Sequence, residues 1–256
     1  MEGTLNSVQQ AFSERAAGVI KLLEFDNLVL DHLVGGLDGL VEELERKHLN
    51  SAAVVVGNRL KHLKNIRATQ SLRRTYGTIY NQCVVLLVSY FDATMGDLFR
   101  VAVASALRAG KDVPARERSV ELNWRNLSEP GAPVEALIAE RIVNEDDISF
   151  QDMQSTRRAF SKNLKLDLGR NEDANDIILG QAARNLMAHA GGKIDERFRN
   201  QVSKAHPRRL KAQFPSTKTI QFEPDEVRLL ASSMTSFLGA AITKIETLLT
   251  PIKEAR

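Results

Sequence analysis

The chain has 256 residues, of which 43% are hydrophobic and 26% are charged, and its formal net charge is +3. This composition is that of an ordinary soluble globular protein, long enough to bury a sizeable core as one domain or as a domain with an appendage. Cys83 is the only cysteine, which excludes a disulfide framework within the chain. The mildly basic balance does not by itself indicate a nucleic-acid partner.

The start of the chain lacks a basic segment followed by an apolar one, so we expect no secretion signal. No uninterrupted apolar run approaches the roughly 18 residues that a membrane-spanning helix needs. We therefore expect a cytoplasmic protein that does not associate with a membrane.

Helical spacing of apolar residues dominates the N-terminal part of the chain. It predicts a helix from Leu5 to about Arg46, which Gly35-Gly36 would kink or divide. Ser51 can cap a second helix that runs to about Arg74. The polar face of this second helix suits either a solvated surface or a phosphate-binding stripe. Its basic residues are Arg59, Lys61, His62, Lys64, Arg67, Arg73 and Arg74.

The next helix is predicted to be the centre of the core. Apolar residues from Tyr80 to Ala102 keep a helical period over about six turns, and the run from Val84 to Val88 is apolar on every side. Asp92 interrupts this pattern. An acid at such a position lies either at an exposed edge or against a buried cation.

Capping signals mark the helices of the C-terminal part. Ser149 with Asp152 resembles a capping box, Asn171 opens a helix that Gly191-Gly192 ends, and Asp195 can cap a short helix. Pro224 suits the first turn of the last helix. Residues 110–133 are expected to be rich in loops, and residues 218–222 to form a short extended piece. Because no convincing strand alternation is present, the predicted fold class is an all-α helical bundle.

Several common chemistries lack their sequence motifs. There is no Gly-rich phosphate loop, no His-Glu-x-x-His, no pair of cysteines and no Gly-x-Ser-x-Gly. The five histidines do not have the spacing of a ligand set. We therefore expect neither a metal site nor a cofactor.

The one constellation that suggests chemistry lies near the end of the helix before Gly191, at Arg184, Asn185 and His189. An Arg supplies a fixed positive fork and a His supplies a proton near neutral pH, a combination that suits cleavage of a phosphodiester without a metal. Arg184 and His189 are separated by about 140° of helical rotation and do not share a face. Asn185 and His189 do share one. The spacing alone also fits ordinary surface or core residues in a purely structural bundle.

A resemblance to the HEPN superfamily of all-α ribonucleases, in its RiboL-PSP-HEPN-like branch, rests on the segment Arg184-Asn185-Leu186-Met187-Ala188-His189-Ala190-Gly191-Gly192-Lys193-Ile194-Asp195. The signature of that superfamily is an Arg, usually a polar residue, a short apolar run, a His and a Gly-containing turn. Residues 84–99 and 224–249 are similar to its first and last core helices. The resemblance implies a HEPN-like helical domain at residues 76–256 and an added N-terminal helical arm at residues 1–75.

The resemblance implies a metal-independent endoribonuclease. The RNA 2′-hydroxyl attacks the adjacent phosphorus and leaves a 2′,3′-cyclic phosphate and a 5′-hydroxyl. In this scheme His189 is the general base or acid, Arg184 stabilises charge on the phosphoryl oxygens, and Asn185 positions one of those oxygens. Asp92, whose position carries a Glu in many relatives, is a supporting acid.

The resemblance also implies partners. In the family two motifs face each other across a homodimer, so a composite active site at a symmetric interface is expected. Such domains are often toxins or anti-phage defence effectors, so an antitoxin or regulatory protein is expected as well.

A basic run follows the motif and is a candidate RNA-binding surface, although a solvated basic loop explains it equally well. Its members are Arg197, Arg199, Lys204, His206, Arg208, Arg209 and Lys211. The alternative to an enzyme is a non-catalytic HEPN-like module that binds RNA or a protein partner. The sequence does not indicate which RNA would be the target.

Overall fold

The structure, a computed structural model, describes residues 4–69, 77–122, 133–211 and 219–250. Within these ranges the chain forms eight α-helices and one 3₁₀ helix. The α-helices are α1 (Leu5–Arg46), α2 (Asn50–Thr69), α3 (Gly77–Arg108), α4 (Val134–Glu145), α5 (Met153–Leu164), α6 (Glu172–Ala190), α7 (Glu196–Ser203) and α8 (Pro224–Leu249), and the 3₁₀ helix is Pro114–Glu117.

The predicted all-α class is confirmed. The described ranges contain no β-strand, and extended pairing in them is limited to isolated bridge residues, of which Lys193 and Thr219 pair with each other. Such bridging is what the structure shows of the extended piece expected at residues 218–222, of which residue 218 lies outside the described part.

Helix α3 forms the centre of the core, as its apolar pattern predicts. It packs against α1, α4, α5, α6 and α8. The ring of Phe91 lies edge to face with Phe12 of α1 at 5.9 Å and with Phe237 of α8 at 6.2 Å. All three rings are buried, and burying each contributes about 1.5–3 kcal/mol. These contacts hold the first and last helices against α3.

Helix α1 continues through Gly35 and Gly36 without a break, because glycine is tolerated inside a helix at a cost of about 1 kcal/mol. Its buried residues as far as Leu23 belong to the main hydrophobic core: Val8, Phe12, Ala16, Val19 and Leu23. Beyond Leu23, α1 pairs with α2 as a helical hairpin, whose buried residues lie outside that core: Leu30, Val34, Ala53 and Leu60. The projecting arm therefore begins inside α1. The boundary expected at residue 75 falls outside the described residues, and the division into two domains stays a prediction.

Ion pairs join the two helices of this hairpin. Lys64 Nζ lies 2.7 Å from Asp38 Oδ1, and Arg67 Nη1 lies 2.9 Å from Asp31 Oδ1. Two of the basic residues on the polar face of α2 thus face α1. Exposed pairs of this kind contribute at most about 1 kcal/mol each. Arg73 and Arg74, also assigned to that face, lie outside the described residues.

The structure differs from the sequence-based expectations at three places. Helix α4 was not predicted from the sequence, and no side chain caps its first turn. Helix α5 has Asp152 as its N-cap, but the Ser149 hydroxyl accepts from the Gln151 N–H and takes no part in the cap. Helix α2 begins at Asn50, one residue before the expected cap Ser51.

Candidate active site

Helix α6 carries the Arg-Asn-x-x-x-His motif in its last two turns. The Asn171 side chain accepts the Ala174 N–H at 2.9 Å and so begins the helix. Gly191 ends it in a left-handed conformation with φ of 57°, which glycine adopts without a steric cost. Both predicted boundaries of this helix are confirmed.

Arg184 is directed toward the core helix α3. Its Nη2 donates to Asp92 Oδ2 at 2.6 Å, and Gln181 Nε2 donates to Asp92 Oδ1 at 2.7 Å. The side-chain oxygen Oε1 of Gln181 in turn accepts the Met153 N–H at 3.0 Å, so the network reaches the first turn of α5. Asp92 is thus paired with a partly buried cation, which is one of the two placements that its position in the sequence allows.

Burial raises the pKa of Asp92 to about 6, even though hydrogen bonds from Gln181 and Arg184 and the charge of Arg184 act to lower it. The carboxyl is 8% exposed, and the Arg184 side chain is 16% exposed. Arg184 is therefore held in place by one carboxylate, and its buried Nε–H has no partner among the described residues.

Asn185 and His189 lie on a different face of α6. Together with Arg197 of α7 they line a small cleft of about 260 Å³ between the two helices. His189 is exposed, so its imidazole can exchange protons with solvent. The structure thus brings Asn185, His189 and Arg197 together and directs Arg184 elsewhere, as the 140° of rotation between Arg184 and His189 requires.

The predicted RNA-binding residues divide among several environments. Arg197 and Lys204 line a groove beside the His189 cleft, whereas Arg199 lines a separate cavity with His206. Lys211 is exposed on the segment that follows. Only part of the basic run therefore faces the candidate site.

Arg208 and Arg209 are engaged in internal contacts that the sequence did not reveal. Arg208 donates to the backbone carbonyl oxygens of Val202, Ala205 and Leu210 at 3.0–3.1 Å. Arg209 forms ion pairs through Nη2 with Asp173 and through Nε with Asp176. These contacts fix the segment after α7, and the assignment of the two arginines to an RNA-binding surface stays a prediction.

Asp176 is a second buried acid that the sequence analysis missed. It is fully buried in α6, and its carboxylate accepts the backbone N–H groups of Arg209 and Leu210 at 2.9 and 2.8 Å. It also accepts the Ser233 hydroxyl at 2.9 Å. An Asp and a Gln within the apolar sequence of α6 were the available signals, since polar residues in a core are usually bonded to specific partners.

Two searches of the described residues give negative results. No group of three or more His, Cys, Asp or Glu side chains in this part of the chain is arranged to hold a metal ion. None of the helices described is long and apolar enough to cross a membrane. Comparison of the chain with protein-family models, curated proteins and solved structures finds no match.

Proposed function

We propose that the protein is a metal-independent endoribonuclease of HEPN type, in which the cleft of His189 is part of the active site. The observation that carries this proposal is that an exposed imidazole, an amide and a guanidinium, those of His189, Asn185 and Arg197, line one cleft. The Asp195 carboxylate, which accepts the Phe198 N–H as the cap of α7, also lines it. A proton carrier beside a cation suits attack of a 2′-hydroxyl on a neighbouring phosphate.

In the proposed reaction His189 exchanges a proton with the 2′-hydroxyl or with the leaving 5′-oxygen. Asn185, one helical turn away on the same face, orients a phosphoryl oxygen or the imidazole. Arg197 attracts the phosphate in the cleft. The RNA 2′-oxygen forms the new bond to phosphorus as the 5′-oxygen leaves, which gives a 2′,3′-cyclic phosphate and a 5′-hydroxyl.

Arg184 takes part through a second copy of the chain in this proposal. Asp92 fixes its guanidinium on a face of α6 that does not open into the His189 cleft of the same chain. A symmetric homodimer would let Arg184 of one subunit serve the cleft of the other, as the resemblance to HEPN ribonucleases implies. The role of a toxin or anti-phage effector, with its antitoxin or regulator, rests on that resemblance alone.

The test is cleavage of total RNA by the purified full-length protein in EDTA. His189→Ala and Arg184→Ala should each lower the rate at least about 100-fold, because each removes a group that acts in the transition state. Arg158→Ala and His32→Ala are matched controls, since these residues are an exposed Arg and an exposed His that do not line the cleft. Equal cleavage by all four variants would refute the assignment.

A second candidate function is a non-catalytic module that binds RNA. The observation in its favour is the Asp92–Arg184 pair, which engages the motif arginine away from the histidine within one chain. This candidate predicts RNA binding that depends on salt but no cleavage, and it predicts that His189→Ala leaves the affinity unchanged.

A further inference from the structure

A larger groove adjoins the His189 cleft. It has a volume of about 680 Å³ and lies between the first turn of α5 and helices α6 and α7. The groove and the cleft share four lining residues, Gln151, Asn185, Arg197 and Gln201, so one continuous depression leads to His189.

Cations dominate the charge of this groove. Arg157, Arg170, Arg197 and Lys204 line it, and Asp152 is the one carboxylate among its lining residues. That carboxylate already accepts the Ser155 N–H at 2.8 Å as the cap of α5. The groove therefore offers a positive path for a polyanion.

The guanidinium of Arg157 has few hydrogen-bond partners within the described part of the chain. Its Nη2 forms a weak pair with Asp167 Oδ1 at 3.3 Å, and the Asp167 side chain is largely exposed. Its Nε is buried and has no partner among the described residues. Arg157 is therefore held to the rest of the chain by one weak ion pair, and it lines the groove as a cation.

Amide side chains form the second component of the lining. They come from Gln151, Gln154, Asn175, Asn185, Asn200 and Gln201. Asn175 donates to the Pro207 carbonyl oxygen at 2.7 Å. For the other five, no side-chain hydrogen bond to another described residue is present in the structure. An amide carries both donors and an acceptor, as the edge of a base does.

We infer that this groove binds a single-stranded segment of RNA, with the phosphates on its four cations and the edges of unpaired bases on its amides. The inference rests on the proposed function for the position of the cut, which His189 would make where the groove meets the cleft. The Arg-Asn-x-x-x-His motif and the basic run include neither Arg157 and Arg170 nor the amide side chains of α5 and α7.

A single strand fits better than a duplex. In double-stranded RNA the bases pair with each other and the major groove is too narrow for side chains to read, so the free amides would find no partners there. The described lining of the groove includes no aromatic ring, so stacking on aromatic residues does not hold the strand. Recognition by hydrogen bonds also allows contact with the 2′-hydroxyl, which distinguishes RNA from DNA.

The experiment measures binding of a fluorescent RNA 12-mer of mixed sequence by the full chain carrying His189→Ala, in EDTA and over a range of salt concentrations. The same strand annealed to its complement and the same sequence as single-stranded DNA serve as comparison probes. Four phosphate contacts predict that the logarithm of the binding constant falls with the logarithm of the salt concentration with a slope of about −3.

Two double variants separate the groove from general charge. Arg157→Ala/Arg197→Ala removes two groove cations and should weaken binding roughly 25-fold at 0.1 M salt while reducing the slope to about −1.5. Arg158→Ala/Lys21→Ala removes the same charge at two exposed positions, and neither residue lines the groove. This control should leave both the affinity and the slope unchanged. Arg170→Ala is a further variant at an exposed position, for use if loss of Arg157 disturbs folding.

The amides are tested separately. Gln151→Ala/Gln201→Ala should weaken binding of the single strand roughly tenfold, because two hydrogen bonds to bases are lost, and should leave the salt slope unchanged. It should not alter the weak binding of the duplex. An equal loss for both probes would contradict reading of unpaired bases.

The outcomes distinguish this inference from the proposed function. The inference that the groove binds single-stranded RNA is overturned if duplex and single strand bind equally well. It is also overturned if the two double variants that remove positive charge weaken binding equally. Cleavage by the protein with His189 intact would then still stand on its own. If RNA binds as predicted but is not cleaved by the protein with His189 intact, binding in the groove is supported and the proposed nuclease activity is overturned.

Discussion

Asp92→Asn should stabilise the protein at neutral pH, although it removes one partner of a salt bridge. Burial raises the pKa of Asp92 from 3.8 to about 6 even with the Arg184 guanidinium against it. The raised pKa means that desolvation of the carboxylate outweighs its attraction to Arg184. A difference of about two pKa units corresponds to about 3 kcal/mol.

The pH dependence follows from the sign of this shift. Below about pH 4 the carboxyl of Asp92 is protonated in both the folded and the unfolded chain. Between about pH 4 and 6 the unfolded chain releases the proton first, so the free energy of unfolding falls as the pH rises. Above about pH 6 the folded protein carries the full cost of about 3 kcal/mol. Asparagine mimics the neutral carboxyl and removes this dependence.

The assay is urea denaturation followed by circular dichroism at pH 4.5 and pH 7.5. Asp92→Asn should exceed the free energy of unfolding of the wild-type protein by only about 1 kcal/mol at the lower pH and by up to about 3 kcal/mol at the higher pH. Asp97→Asn is the control, since Asp97 is an exposed carboxylate in the same helix and its loss should change stability by no more than about 0.5 kcal/mol. A variant less stable than wild type at pH 7.5 would refute the reasoning, because the ion pair would then outweigh the desolvation.

Three further predictions concern helix α6 and the proposed dimer. Asp176→Ala should lower the free energy of unfolding by about 4 kcal/mol in urea denaturation, because it leaves buried donors without their acceptor; a loss below about 1 kcal/mol would contradict the network. Gly180→Ala should lower the free energy of unfolding by about 1–2 kcal/mol in the same assay, since the new Cβ would lie 3.0 Å from two methyl carbons of α8. Its control, Gly239→Ala, should stabilise the protein by about 1 kcal/mol, because the new Cβ would be 3.9 Å from its nearest neighbour. Equal effects of the two substitutions would contradict the close packing of α6 on α8. Mixing the Arg184→Ala and His189→Ala proteins should restore roughly a quarter of wild-type RNA cleavage. About half of the dimers are then mixed, and each mixed dimer holds one intact site where a wild-type dimer holds two. No recovery of cleavage would contradict a site shared between subunits.

Local signals predicted the helices well where a cap or a turn is encoded by a few neighbouring residues. Asn171, Asp195, Gly191 and Pro224 mark helix ends in the sequence and mark them in the structure. Helix α4 escaped prediction because it has no side-chain cap and follows a segment rich in proline.

The side-chain partners in the candidate site depend on tertiary packing and could be predicted only in part. The sequence allowed a buried cation for Asp92 but did not indicate which one, because Arg184 lies 92 positions away. Arg208 and Arg209 resembled surface residues, since nothing near them in the sequence shows the carbonyl oxygens and the Asp176 carboxylate that engage them. The amide-lined groove was not predicted because its residues come from three helices and from the segments that precede two of them.

The most direct test of the proposed function is the chemistry of the RNA ends produced by cleavage. Mass spectrometry of a cleaved RNA oligonucleotide, with EDTA present, should find a 2′,3′-cyclic phosphate on one fragment and a 5′-hydroxyl on the other. The His189→Ala protein should yield neither. Fragments with a 3′-hydroxyl and a 5′-phosphate, or cyclic phosphate ends formed equally by His189→Ala, would contradict attack by the 2′-hydroxyl with His189 as the proton carrier.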